Sequence, residues 1–333
     1  MTRRDTYLQG PGLAVTIGGA VTARRYFRKE YGGQVRDGAE RALPVLDACF
    51  ARPAGASLAA VVEGRHKLAR WHVSVAANDD DDAIRVRAHV QGPFGLPLVQ
   101  SLVVEPLIGV AAGRHGVAMV PGALLLDGEG AGVLLVGGSG AGKTSLAARA
   151  IAAGLDVLAD DRAFVDAGGT GSCFVRRMRL YPDIRDTAPR AWAALARGPR
   201  ARLRAVAALR EVSRGRFAPP VAVARRQLGA PARPHAGIAV SRIVLLGRHD
   251  GSSARIRPAT DAAAADEIAR RIRDDRAALD VAGLGEQLRT RAQADREVLE
   301  PAIRAATVQR LDMPLAWPAA RAVQRLASEL GLP

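Results

Sequence analysis

The segment GVLLVGGSGAGKTSLAARAIAAGLDVLADD, Gly132–Asp161, leaves the chain little choice of local fold. An apolar run, GVLLV, reads as a buried strand. It leads into Gly137, Gly138, Ser139, Gly140, Ala141, Gly142, Lys143 and Thr144, a complete match to the pattern G-x-x-x-x-G-K-[ST]. Strong helix formers follow from Lys143 and stop at Gly154, a residue suited to a helix C-cap. LDVLADD then reads as the next strand, ending on Asp160 and Asp161. Upstream, GALLLDGEGAG predicts a further strand and a polar turn into GVLLV. Strands alternating with a helix place this part of the chain in the α/β class.

The chemistry follows from the residue types. Glycines let successive backbone N–H groups converge on phosphate oxygens, and the helix that starts there adds partial positive charge. Lys143 is placed to reach the β- and γ-phosphates, the Thr144 hydroxyl suits Mg²⁺, and Ser145 completes the nucleotide-binding stretch. ATP and Mg²⁺ are therefore the expected cofactors. One βαβ crossover after the loop predicts that Asp160 and Asp161 return to the same rim of a parallel sheet. Adjacent strand residues point to opposite faces, so the two carboxylates are expected to divide two jobs. One holds Mg²⁺; the other accepts the proton of an attacking hydroxyl, as phosphoryl transfer requires.

From the hairpin before the glycine-rich loop to the strand ending in Asp-Asp, roughly Pro121 to Val165, the segment resembles the catalytic domain of HPr kinase/phosphorylase and its relatives. Those are bacterial serine kinases on a P-loop fold shared with phosphoenolpyruvate carboxykinase. The resemblance implies a P-loop catalytic domain of that type and an ATP-dependent kinase acting on a serine-type hydroxyl of a protein, peptide or small molecule. It further implies Asp160 as general base, Asp161 as a partner for Mg²⁺ or substrate, Lys143 and Thr144 as phosphate and metal contacts, and self-association. The family carries a histidine at the start of the hairpin; ungapped alignment places Gly122 there, and His115 lies seven residues earlier. No match to the downstream phosphorolysis motif is found, so the kinase direction is the part that carries over.

Composition narrows the alternatives. The net charge is +15, and of 48 basic residues only Lys29, Lys67 and Lys143 are lysine. No finger, RNP-type or glycine-arginine motif accompanies this charge, so an anionic substrate is expected in preference to nucleic acid. Two cysteines, Cys49 and Cys173, make no disulfide framework. No apolar run is read as reaching the roughly 18 residues of a membrane span. The first residues read as a strand in preference to a signal peptide, so a cytoplasmic protein is expected.

Three regions are expected: a mixed α/β N-terminal substrate or partner region over residues 1–113, the kinase domain over 114–250, and a helical C-terminal region over 251–333. GLAVTIGG, LAAVVEG, RWHVSVAA and AIRVRAHV are strand-like, as is SRIVLLGR. Residues 188–235 show little strand signal and predict helices and a mobile loop. Arg176, Arg177 and Arg179 in FVRRMRLYPDIR, with His115, are further candidates for phosphate or substrate contacts. His235, Arg248 and the pair His249–Asp250 have less to distinguish them, and NDDDDA reads as a solvated loop. Two other functions stay open: a nucleotide-dependent ATPase or switch without an acceptor, and a nucleotide-gated module binding an anionic partner.

Overall fold

The computed structural model describes residues 3–32, 42–51, 60–66, 68–76, 83–229, 237–280 and 284–332. The acidic run at 79–82 and His235 lie outside them. The chain divides into two compact units, one of residues 1–119, 164–167 and 269–300, the other of 120–163, 168–268 and 301–333.

The first unit is built on a six-stranded mixed sheet of β1 (Arg4–Gln9), β2 (Leu13–Gly19), β3 (Leu43–Phe50), β4 (Ala60–His66), β5 (Ala69–Ala76) and β6 (Ile84–Gln91), in the order β1-β2-β3-β6-β5-β4. β2, β3 and β6 run parallel, and hairpins close both edges. Helix α1 (Val21–Tyr31) buries Phe27 and Tyr31, which meet Tyr7 and Phe50 in an aromatic cluster. A long apolar helix follows: α2 (Gly95–Val99), a π-turn (Gln100–Val104) and α3 (Glu105–Ala112), ending in the 3-10 turn Gly113–His115. By length and composition Gly95–His115 could cross a membrane, which corrects the expectation that no run is long enough. Its most apolar window is 72% buried inside the protein, as in a core helix. β7 (Val117–Val120) completes this stretch.

The second unit carries the glycine-rich segment. β8 (Gly122–Leu126) and β9 (Gly132–Gly137) form the expected hairpin, in register from Gly122 opposite Val136 to Leu126 opposite Gly132. Asp127 shapes its turn, its Oδ1 accepting from the backbone N–H groups of Glu129 and Ala131. Helix α4 (Lys143–Ala152) and the short β10 (Val157–Ala159) follow. β10 pairs antiparallel with β8, so it runs parallel to β9 but two places away. The parallel sheet expected from the sequence is therefore a mixed one. The C-terminal ends of β9 and β10 nonetheless point the same way.

β11 (Ala163–Asp166), β12 (Thr170–Cys173), β13 (Met178–Leu180), helices α5 (Ile184–Thr187), α6 (Pro189–Ala194) and α7 (Arg197–Val212), and β14 (Val221–Val223) come next. β13 and β14 pair as a separate ribbon, a strand in a stretch where helices and a loop were expected. β15 (Ile238–His249) lies parallel beside β9. Its other side is taken by β17 (Thr307–Pro314), also parallel, which in turn pairs with β16 (Arg255–Pro258). The C-terminal region is thus not wholly helical: besides α8 (Asp261–Arg276), α9 (Gly285–Ala305) and α10 (Ala319–Glu329), it supplies two strands. Leu146, Ala147 and Ile151 of α4, Val323 and Leu326 of α10, and Val133, Leu135, Val244 and Leu246 of the sheet form one buried cluster. That cluster fixes α4, and with it the glycine-rich loop, on the sheet. The protein is a mixed α/β structure.

Candidate active site

The loop between β9 and α4 is held by close packing at its glycines. A Cβ on Gly137 would stand 2.8 Å from the Leu246 Cβ and 3.0 Å from its carbonyl oxygen. Gly142, which caps α4, has φ +95°, and a Cβ there would meet Val323 and Leu326 at 3.2 and 3.3 Å. No side chain caps α4, so the N–H groups of its first turn face the loop. Lys143 curls back over the loop, its Nζ donating to the carbonyls of Gly137 at 2.6 Å and Gly138 at 2.9 Å. The Ser145 Oγ accepts from the Thr187 hydroxyl of α5 at 3.1 Å. At the loop tip, Arg248 donates from Nη2 to the Gly140 carbonyl and from Nη1 to the Pro314 carbonyl, at 3.3 and 3.2 Å. Val244 and Leu246 of β15 belong to the core; Arg248 is next on the same face, where the core ends and the loop begins.

Asp160 and Asp161 directly follow β10, and their environments differ sharply. Asp160 is 2% exposed, and neither of its carboxylate oxygens has a hydrogen-bond partner in another described residue. Burial pushes its pKa up to about 6, against the pull of Arg176 and with a further push from Asp161. The Asp161 side chain is 46% exposed, and its Oδ2 lies 3.1 Å from Arg176 Nη1 and 3.2 Å from Arg162 Nη1. Burial alone would raise Asp161, but the charges of Arg176 and Arg162, then Lys143 and Arg179, outweigh it and hold the carboxyl below its usual range. One carboxylate is thus poised to take a proton near neutrality, and its neighbour is kept ionised.

A further arginine braces the strand that carries this pair. Arg225 donates to the carbonyls of Val157 and Leu158, covering the outer edge of β10. Arg177 donates to the carbonyl of Ala222 on β14, so its guanidinium is committed to the β13–β14 ribbon. Arg176 faces the acidic pair, and Arg179 lies within electrostatic reach of Asp161. His115 belongs to the other compact unit. His249 orders its own loop, accepting from the Gly251 N–H at Nδ1 and bonding the Ser253 carbonyl through Nε2. Arg162, Arg225 and Arg248 carry more of the site than the sequence signals. Arg162 is flagged only by adjacency to Asp161, and the other two by nothing local.

Among the described residues no group of three or more His, Cys, Asp and Glu side chains is arranged to hold a metal by itself. Mg²⁺ bound with a nucleotide needs only one or two carboxylates besides the phosphates. The buried oxygens of Asp160, without a partner in another described residue, and the ionised Asp161 have the chemistry such an ion needs. No protein-family model matches this chain, and no curated protein matches it either.

Proposed function

We propose that this protein is a cytoplasmic, ATP-dependent P-loop kinase of the HPr-kinase-like type that phosphorylates a serine-type hydroxyl on a protein, peptide or small molecule. The observation that carries this reading is Asp160: a buried carboxylate with no hydrogen-bond partner in another described residue and a pKa raised to about 6, at the strand end that shares a rim with the glycine-rich loop. A group so placed suits a general base, whose pKa works best near the operating pH.

In this reading the loop N–H groups and Lys143 bind the ATP phosphates, and Lys143 exchanges its two loop carbonyls for phosphate oxygens. Thr144 and Asp161 would hold Mg²⁺, which would supply charge neutralisation at the transferring phosphoryl group. Asp160 takes the acceptor's proton as the acceptor oxygen bonds to the γ-phosphorus. The bond to the bridging oxygen breaks, and its electron pair leaves with ADP. Arg176 keeps Asp161 ionised and steers anionic groups toward the rim. Gly122, where the resembled family has its histidine, has no room for a side chain, since a Cβ would lie 2.7 Å from the Leu135 carbonyl oxygen.

The test is transfer from γ-labelled ATP with Mg²⁺ to candidate peptides, free serine and a soluble cell lysate. A labelled product that is lost in Lys143→Ala and Asp160→Asn is expected. The burial of Asp160 favours a second reading, a nucleotide-dependent ATPase or switch in which only water reaches the carboxylate. Free phosphate without any labelled acceptor would select it.

A further inference from the structure

Val21, Arg24, Arg25 and Arg28 recur at i, i+3, i+4 and i+7 on α1 and so share one face of that helix. Together with Arg3 they line a surface cavity of about 190 Å³ in the first unit. The carboxylate seen to answer this charge is Asp5, which is 1% exposed. Its Oδ2 accepts from Arg28 Nη2 at 3.0 Å, and its Oδ1 lies 3.7 Å from Arg24 Nη1. Arg24 also donates from Nε to the Gly19 carbonyl at 3.3 Å. Arg3 and Arg25 make no ion pair and no side-chain hydrogen bond among the described residues.

This arrangement runs against local stability in two ways. Arginines four apart on a helix repel, as Arg24 and Arg28 do. Arg24 and Arg25 also sit near the end of α1 where the peptide dipoles already concentrate positive charge, with no acidic residue in the first turn. Departures from local electrostatic rules that converge on one cavity mark a functional place in preference to a stabilising one.

We propose that this cavity binds a phosphate-bearing small molecule or group. Among the described residues, four guanidiniums against one buried carboxylate leave about three positive charges, which suits a dianion better than a second carboxylate. Guanidinium forks match phosphate oxygens in pairs, and phosphate offers oxygens enough for several forks at once. Asp5 orients Arg24 and Arg28 from behind, while Arg3 and Arg25 are free to close on the ligand. The site shares no residue with the glycine-rich loop and does not depend on the kinase reading.

The experiment is calorimetric titration of inorganic pyrophosphate into the Lys143→Ala protein, in which the loop is weakened as a competing phosphate site. Saturable binding is expected. It should weaken by about tenfold or more when Arg3→Ala and Arg25→Ala are combined, the loss of at least one charged hydrogen bond. Both side chains are exposed and in no ion pair among the described residues, so the fold is expected to be retained, and an unchanged melting temperature verifies this. Citrate, titrated in parallel, should bind more weakly than pyrophosphate. No binding in the Lys143→Ala protein, binding unmoved by the double substitution, or citrate binding as tightly as pyrophosphate would overturn the proposal.

Discussion

Arg176 Nη1 lies 3.1 Å from Asp161 Oδ2, and the same guanidinium acts on the neighbouring Asp160. One arginine therefore tunes both members of the acidic pair, and it is itself 8% exposed. Replacing it with alanine removes the largest influence that lowers either carboxyl. Both should then protonate at higher pH. The acid limb of the Arg176→Ala rate profile is expected to move above that of the wild type, with Arg176→Lys falling between. A lower rate with an unmoved profile would mean that Arg176 acts only in binding.

For the wild type, the proton-accepting form of Asp160 is the ionised one, which predominates above its pKa of about 6. The rate at limiting substrate should be flat at and above neutrality and fall about tenfold per pH unit below 6. Steady-state measurements from pH 4.5 to 8.5 at constant ionic strength check this.

The same shift has a consequence for stability. A carboxyl whose pKa is higher in the folded state binds its proton more tightly there, so stability falls as pH rises from about 4 to about 6. Above that window the buried charge costs up to ~3 kcal/mol, at about 1.4 kcal/mol per pKa unit. In metal-free, nucleotide-free buffer, Asp160→Asn should therefore raise the melting temperature at pH 8. The gain should vanish near pH 4. A destabilised Asn variant at pH 8 would mean that the carboxylate has a structural partner.

How far the site was legible depends on how local its signals are. The glycine-rich loop and the acidic pair are read directly, because each is a short contiguous stretch of distinctive residue types. The β8–β9 hairpin was equally plain from its turn. Arg225 was not, since the carbonyls it holds on β10 lie 67 and 68 residues away in the chain. Strand β17, TVQRLDMP, follows α9 with scarcely a break, and its identity comes from an eight-residue register with β15. The helix Gly95–His115 is not legible in the sequence, because α3 is buried on every side and lacks the polar stripe that reveals periodicity. The π-turn at Gln100–Val104 leaves no sequence mark either.

Gly142→Ala tests the loop geometry. Alanine at φ +95° is strained, and its methyl would press on Val323 and Leu326. A stability loss of about 1–2 kcal/mol is expected from the backbone alone, read by denaturant unfolding. Gly140→Ala, at φ +75° but with nothing within 4 Å, should cost less.

Arg248 ties the Gly140 carbonyl at the loop tip to the Pro314 carbonyl at the end of β17. Arg248→Ala is expected to weaken nucleotide binding by about threefold to tenfold, the worth of one ordinary hydrogen bond. Arg248→Lys, able to hold one carbonyl at a time, should recover part of it. Fluorescent-nucleotide titration reads both, and an unchanged affinity in Arg248→Ala would remove the residue from the site.

The most direct test of the central claim is a single-turnover, γ-labelled transfer experiment comparing wild type with Asp160→Asn at pH 8, each shown beforehand to bind ATP. The account predicts equal ATP binding and phosphoacceptor labelling at least about a hundredfold slower in the variant, the usual contribution of a general base. Labelling at the wild-type rate by Asp160→Asn would contradict it.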